Sequence, residues 1–165
     1  MKKHVLFLSL TLIIFTACDK VKDPGIEVPK PIDEALISTY WNIISEKYDL
    51  LDEQGQIIQQ YQRDYDKKYE FTSDHTFKRT ASDGTWRNGT YSITREDKKD
   101  YLNLFLEPRN GWPADTLKYE VTAYTDKTMS WYGVRENMPY TDANGEEKTA
   151  PIRHGYLELH CPCRD

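Results

Sequence analysis

The sequence predicts an all-β domain, an up-and-down antiparallel β-barrel of about eight strands with a short N-terminal helix. From residue 40 onward, short runs rich in Tyr, Ile, Thr, Phe, Val and Trp alternate with turn sequences such as SDGT, RNGT and TDANGEE. Helical periodicity is absent after residue 44. Most connections are short enough to join adjacent strands, and a sheet of this size must close or stack to protect its edges.

The predicted elements follow in chain order. IDEALISTYW (32–41) begins with good helix formers, with acids in its first turn, and predicts a short helix leading into a strand. In LKYEVTAY, apolar and polar residues alternate, which is typical of a half-buried strand. We interpret residues 138–155 as a mobile hairpin or an excursion between strands. The predicted strands are 40–51, 56–62, 67–73, 75–81, 86–94, 101–106, 117–125 and 127–136, with a possible ninth at 154–161.

The first 17 residues are predicted to be a signal peptide. Lys2 and Lys3 precede the apolar run VLFLSLTLIIF, and small residues follow it. The run is shorter than the roughly 20 apolar residues that a membrane-spanning helix needs. The next segment, residues 18–31, contains Pro24, Gly25, Pro29 and Pro31 among mixed charges and is predicted to be a flexible tether. Residues 32–165 are then the barrel domain.

FTAC, at residues 15–18, resembles the lipobox of bacterial lipoproteins, in which a peptidase cuts before the cysteine and the thiol carries a diacylglycerol. The resemblance implies lipid attachment at Cys18 and anchoring in a bacterial cell envelope. We expect the anchor to lie in the outer membrane, on either its periplasmic or its surface face. The alternative, an ordinary cut after FTA, would leave Cys18 as an unpaired thiol in an oxidising compartment.

The composition argues against nucleic acid as a partner. The chain has 22 basic and 27 acidic residues and a formal net charge of -5. No run of the sequence combines clustered Lys and Arg with interleaved aromatic residues. We therefore expect membrane association through the lipid and no binding of nucleic acid or of anionic lipid.

The stretches LISTYWNIIS, YEFTSDHTFKRT and GTWRNGTYSI are similar, in order and texture, to the lipocalin-like lipoproteins of Bacteroidota. The similarity covers roughly residues 32–136. It implies a small barrel that begins with a helix and an early Trp-containing strand. The expected function is that of a non-enzymatic envelope lipoprotein whose barrel binds a small hydrophobic ligand.

Aromatic residues make up 13% of the chain. In an eight-stranded barrel they either fill the interior or line a small apolar pocket for a lipid-like or aromatic ligand. Both arrangements stay open at this stage. The side chains that we predict to point inward, as possible cavity-lining residues, are Trp41, Phe71, Phe77, Tyr91, Tyr119 and Trp131.

A long predicted loop, EPRNGWPADT (107–116), carries Trp112 between Gly111 and Pro113. A large aromatic residue on such a loop indicates a lid over the barrel or a contact with a partner. It favours the alternative function, a protein-binding envelope lipoprotein such as a hydrolase inhibitor or an accessory subunit.

The C-terminal HCPCRD contains His160, Cys161 and Cys163. Because exported proteins tend to oxidise their thiols, we predict a possible disulfide between Cys161 and Cys163. Two thiols near a histidine also suit a soft metal, but structural zinc sites normally use a wider cysteine spacing and a second ligand pair. We predict no metal and no cofactor. The sequence has no G-x-S-x-G or H-E-x-x-H motif, and we predict that it is not an enzyme.

Overall fold

The computed structural model describes residues 31–37, 40–63 and 67–162. Cys18, the predicted signal peptide and all of the predicted tether except Pro31 lie outside the described residues. Within the described ranges there is one short helix, α1 (Ile32–Leu36), and nine strands. The strands are β1 (Tyr40–Leu51), β2 (Ile57–Arg63), β3 (Lys67–Phe71), β4 (Thr76–Thr80), β5 (Trp86–Glu96), β6 (Lys99–Leu106), β7 (Asp115–Tyr124), β8 (Thr128–Thr141) and β9 (Glu147–His160).

The strands close into an antiparallel barrel. From β3 to β9 each strand pairs with the next, and β9 pairs with β1 to complete the ring. Strands β2 and β3 share one side of β1, where β2 pairs with residues 46–51 and β3 with residues 40–43. The nine strands of the described residues therefore occupy eight positions, and the predicted up-and-down barrel is confirmed. Closure pairs the outer strands and so protects the edges that an open sheet would expose.

The last two strands are longer than the sequence predicted. Their ladder continues to the pair Thr141 and Glu147, through residues interpreted as a mobile hairpin or an excursion. The turn between them is fixed by Asp142, whose carboxylate accepts hydrogen bonds from the backbone N–H groups of Asn144 and Glu146. Gly145 supplies the positive φ that this turn requires. Residues 138–155 are thus part of a regular hairpin.

One end of the barrel, which we call the closed end, carries α1. Ala35 and Leu36 are buried against the core, because they lie on the inner face of the helix. The indole Nε1 of Trp41 donates a hydrogen bond of 3.2 Å to the carbonyl of Leu36 and joins the helix to β1. At the opposite end, which we call the open end, lie the turns 52–56, 81–85 and 142–146 and the loop 107–114. Among the described residues, no helix is long and apolar enough to cross a membrane.

Candidate functional site

The six aromatic residues predicted to point inward lie inside the barrel. Five are buried, and Tyr119 is partly buried against them. Their rings contact one another: the centroids of Phe71 and Tyr91 are 5.1 Å apart, and those of Tyr119 and Trp131 are 5.5 Å apart. None of the six lines either of the clefts described below. The structure places them in a packed core, one of the two arrangements that the sequence left open, and other residues line the open spaces.

A bulge in β1 brings a second set of side chains into the barrel. Ile43 pairs with Leu159 but Ser45 pairs with Glu158, so Ile44 is an extra residue on β1. Because the bulge reverses the alternation of faces, the side chains of even-numbered residues point inward from residue 46 onward. Glu46, whose residue is 3% exposed, is consequently inside the barrel.

Glu46 is held by two donors. The Lys67 ammonium lies 3.0 Å from Glu46 Oε2, and the Tyr48 hydroxyl donates to Glu46 Oε1. The Lys67 side chain is only 20% exposed, so both charges are largely withdrawn from water. A buried ion pair stabilises a fold only when its remaining hydrogen bonds are satisfied, and it is costly to break. The pair therefore fixes the position of the Tyr48 ring inside the barrel.

Two glycines make room for two tyrosine rings beside this pair. Gly133 and Gly155 face each other across β8 and β9. A Cβ at Gly133 would lie 2.7 Å from the Tyr119 ring, and one at Gly155 would lie 3.2 Å from the Tyr48 ring. The rings therefore pack directly on the backbone of the two strands. Burial, with smaller contributions from Tyr69 and Glu46, raises the pKa of the Tyr119 hydroxyl far above its ordinary value, so this group stays protonated.

Arg153 completes the polar layer. Its guanidinium lies 4.3 Å from the centroid of the Tyr48 ring, in a cation–π contact. Burial, followed by the charge of Arg135, lowers the pKa of Arg153. Arg135 is itself paired, with 2.9 Å between its Nη2 and Asp115 Oδ1. We call the layer formed by Glu46, Lys67, Tyr48, Tyr119 and Arg153 the polar floor.

Two buried side-chain donors within the described residues have no hydrogen-bond acceptor, Trp131 Nε1 and Arg153 Nε. Trp131 is enclosed in the aromatic core, whereas Arg153 lies at the open end of the barrel, on the wall of a cleft. An unpaired buried donor is costly, and a charged one more so. Of the two residues, only Arg153 lines a cleft, so a bound molecule can reach its side chain although the Nε atom itself is covered.

The cleft above the polar floor has a volume of about 620 Å³, and we call it the β2–β8 cleft. One wall comes from β2 and the facing wall from the outer part of β8. Its lining contains three cationic side chains and no acidic one, although the whole chain is acidic. The lining residues are Tyr48, Leu50, Gln59, Tyr61, Arg63, Lys67, Met138, Pro139, Tyr140, Thr141 and Arg153.

A second cleft at the open end, of about 680 Å³, lies between the turn 81–85 and the loop 107–114, and we call it the loop cleft. Trp112 lines it and is 68% exposed, as expected for a rim residue. The Arg109 guanidinium stacks 3.3 Å from the centroid of the Trp86 ring. Arg87 donates to the carbonyls of Glu107 and Pro113, so both ends of the loop are held to β5.

Cys161 lines neither cleft. Cys161 is buried, and its backbone N–H donates to the carbonyl of Lys127. Cys163 lies outside the described residues, as does Cys18, so the disulfide and the lipid attachment stay predictions. In the part of the chain that the structure describes, no group of three or more His, Cys, Asp or Glu side chains is placed to hold a metal ion.

The sequence reasoning identified the aromatic core and the exposed Trp112 but missed the polar floor and the β2–β8 cleft. Arg63 and Lys67 stand close together in the chain, at the end of β2 and the start of β3, but Arg153 is far from both, and only the barrel brings the three together. Comparison with known proteins gives no match: no family model, no curated protein and no solved structure matches this chain.

Proposed function

We propose that this chain is a lipid-anchored lipoprotein of a bacterial envelope, related to the lipocalin-like lipoproteins of Bacteroidota, whose barrel binds a small ligand without catalysing a reaction. The lipobox-like FTAC supports the anchor. The observation that carries ligand binding is the β2–β8 cleft, a concave space of about 620 Å³ that combines aromatic and aliphatic side chains with several convergent polar and cationic groups. Because the aromatic core fills the closed half, the ligand binds at the open end.

Native mass spectrometry of the full chain, purified from its own membranes, tests ligand binding. We expect a small molecule that stays bound to the folded protein and is released on denaturation. Gln59 lines the cleft, and Gln62, on the same strand, is exposed and does not line it. Gln59→Trp should fill the cleft and abolish the bound mass, whereas Gln62→Trp should retain it. Equal occupancy in both variants, or no bound molecule in the wild-type protein, refutes a native ligand that stays bound in this cleft during purification.

Cell fractionation tests the anchor. We expect the wild-type chain to sediment with membranes and Cys18→Ser to appear in the soluble fraction, because it lacks the acylated thiol. A Cys161→Ser variant is the matched control and should still sediment. If Cys18→Ser remains with the membranes after a salt wash, the lipid anchor is wrong.

A second candidate function, binding of a partner protein, is favoured by Trp112. This indole is 68% exposed on a loop whose ends are held to β5, and exposed Trp residues are frequent anchors of protein interfaces. A photo-crosslinking amino acid at position 112 should give a discrete adduct in cells. As the control, the photo-crosslinking amino acid replaces Ile44, which is 52% exposed on β1. Adducts of equal yield at both positions would contradict a specific interface.

A further inference from the structure

We propose that the β2–β8 cleft is a site for an organic carboxylate, whose anionic head is held by Arg153 and whose apolar or aromatic body lies between the walls of β2 and β8. This inference rests on the proposed ligand-binding function and names the chemical class of the ligand. It is carried by the charge of the lining, the position of Arg153 in that lining and the chemistry of the walls.

The charge of the cleft selects an anion. Its lining has Arg63, Lys67 and Arg153 and no carboxylate, in a chain with five more acidic than basic residues. Such a concentration of one sign against the overall charge attracts a ligand of the opposite sign. A cationic ligand would be repelled by this lining, and a neutral ligand would gain no charge–charge attraction from it.

The contacts of the neighbouring cations direct the head group to Arg153, since Arg63 lies over the ring of Tyr61, 5.8 Å from its centroid. Lys67 is paired with Glu46, and Arg135 is paired with Asp115. Arg153 contacts the face of Tyr48, but its buried Nε has no acceptor. A carboxylate matches the shape of the planar guanidinium and accepts two parallel hydrogen bonds from its N–H groups. The ligand head therefore meets the Arg153 guanidinium from the cleft, through N–H groups other than the covered Nε.

The walls select the body of the ligand. Tyr61 on β2 and Met138 and Tyr140 on β8 line the cleft with ring and thioether surface, and Leu50 adds an aliphatic contact. These groups bury apolar surface and give a flat body an aromatic face to stack on. An acid with an apolar or aromatic body satisfies the floor and the walls together.

Matched pairs of acids and neutral analogues test the assignment on the full chain. The probes are cinnamate with cinnamamide and octanoate with 1-octanol, titrated at constant ionic strength and followed by calorimetry and by the thermal midpoint of unfolding. We expect at least one acid to bind saturably and about tenfold or more tightly than its neutral partner, the range of a charge-assisted hydrogen bond. If neither acid binds more tightly than its neutral analogue, or if neither acid binds at all, the carboxylate site is refuted.

Variants of Arg153 locate the head group. Arg153→Gln should weaken the acid about tenfold or more and leave the neutral analogue unchanged, whereas Arg153→Lys should retain part of the preference. The matched control is Arg95→Gln, because Arg95 lies near the closed end and is paired with Asp100. Undiminished acid binding by Arg153→Gln overturns the role of Arg153. If that variant does not fold, the acid-to-neutral ratio of the wild-type chain decides alone.

The two proposals fail differently. A small molecule that co-purifies with the wild-type chain and is lost in Gln59→Trp, but that is not an acid, leaves the ligand-binding function standing and removes the carboxylate site. A wild-type chain without any bound molecule that nevertheless binds the acids through Arg153 supports the site and contradicts the native-ligand test.

Discussion

Substitution of three strand glycines by alanine tests the close packing of the aromatic core, at Gly89, and of the polar floor, at Gly133 and Gly155. The steric cost follows from where the new Cβ would lie. At Gly89 it would be 2.0 Å from the carbonyl oxygen of Phe105, and at Gly133 it would be 2.7 Å from the Tyr119 ring. At Gly155 the nearest atom, on the Tyr48 ring, is 3.2 Å away. Ordinary contacts begin near 3.4 Å, so the required displacement decreases in that order.

The magnitudes combine two opposing effects. Overpacking of a well-packed interior costs about 1–3 kcal/mol, and Gly→Ala recovers about 0.4–1 kcal/mol by restricting the unfolded chain. Gly89→Ala must push apart the backbones of two paired strands, and we expect a loss of about 3 kcal/mol. Gly133→Ala should cost about 1–2 kcal/mol, because the Tyr119 ring is wedged against Trp131. Gly155→Ala should stay within about 0.5 kcal/mol of wild type.

Urea unfolding followed by tryptophan fluorescence measures these differences. With a slope of about 1.5 kcal/mol per M, the Gly89→Ala midpoint falls by about 2 M, and the Gly155→Ala midpoint barely moves. Gly55→Ala is the control, since a Cβ there meets no atom within 4 Å and only the positive φ opposes it. Equal losses at Gly89 and Gly155, or a larger loss at Gly155, would refute the packing argument.

Three further predictions concern the core and the floor. Lys67→Met should lower the free energy of unfolding by about 3 kcal/mol, because it leaves the Glu46 carboxylate buried without its cation. The double variant Lys67→Met/Glu46→Gln should recover most of that loss. If urea unfolding shows instead that the losses of the two single variants add, the pairing is contradicted. Because the folded-state pKa of Tyr119 is raised, the folded protein keeps that proton while the unfolded chain ionises above about pH 10, so stability falls by up to about 1.4 kcal/mol per pH unit there. This loss of stability with rising pH should be smaller in Tyr119→Phe, as measured by the urea midpoints of unfolding at pH 8, 10 and 11. If the midpoints of the variant and the wild-type protein fall equally with pH, Tyr119 is not the group responsible. Trp41→Phe should lose about 1–2 kcal/mol, since the buried carbonyl of Leu36 loses its donor; an unchanged urea midpoint would argue against this contact.

The fold could be predicted because its signals are local. Alternation in LKYEVTAY identified Leu117, Tyr119 and Val121 as the inner face of β7. It was wrong beyond Val121, where a register shift leaves Ala123 exposed and packs Tyr124 against the core. TDKT forms the turn between β7 and β8, as its composition indicates, whereas RNGT, which was predicted to be a turn, lies inside β5. Strand ends were harder to predict. Residues 138–155 contain Pro139, Pro151 and several charges, which resemble a loop, yet they continue β8 and β9 because the two strands pair along a long ladder that tolerates the two prolines. Pairing over a long ladder outweighed local composition.

The polar floor could not be predicted from alternation, because the signal reverses within β1. With Trp41 and Ile43 inside the barrel, strict alternation places Lys47 inside and Glu46 outside. The bulge at Ile44 exchanges these positions, and nothing in the residues from 43 to 46 distinguishes a bulged strand from a regular one. The absence of a basic run in the sequence was likewise no guide, since the cations of the β2–β8 cleft come from separate strands.

The barrel has two halves with different physical demands, and this division explains how it tolerates an unsatisfied charge. The closed half buries the aromatic core and α1, which supply most of the apolar burial that holds the fold together. The open half carries the Glu46–Lys67 pair and the half-buried Arg153, whose Nε is buried without an acceptor, and these groups add little stability or reduce it. Local departures of this kind from what stability favours are typical of functional sites. If Arg153 serves a ligand, Arg153→Leu should leave the ligand-free protein as stable as wild type or more so, because it removes an unpaired buried donor. A loss above about 2 kcal/mol in urea would instead indicate that Arg153 is a structural residue whose stacking on Tyr48 supports the barrel.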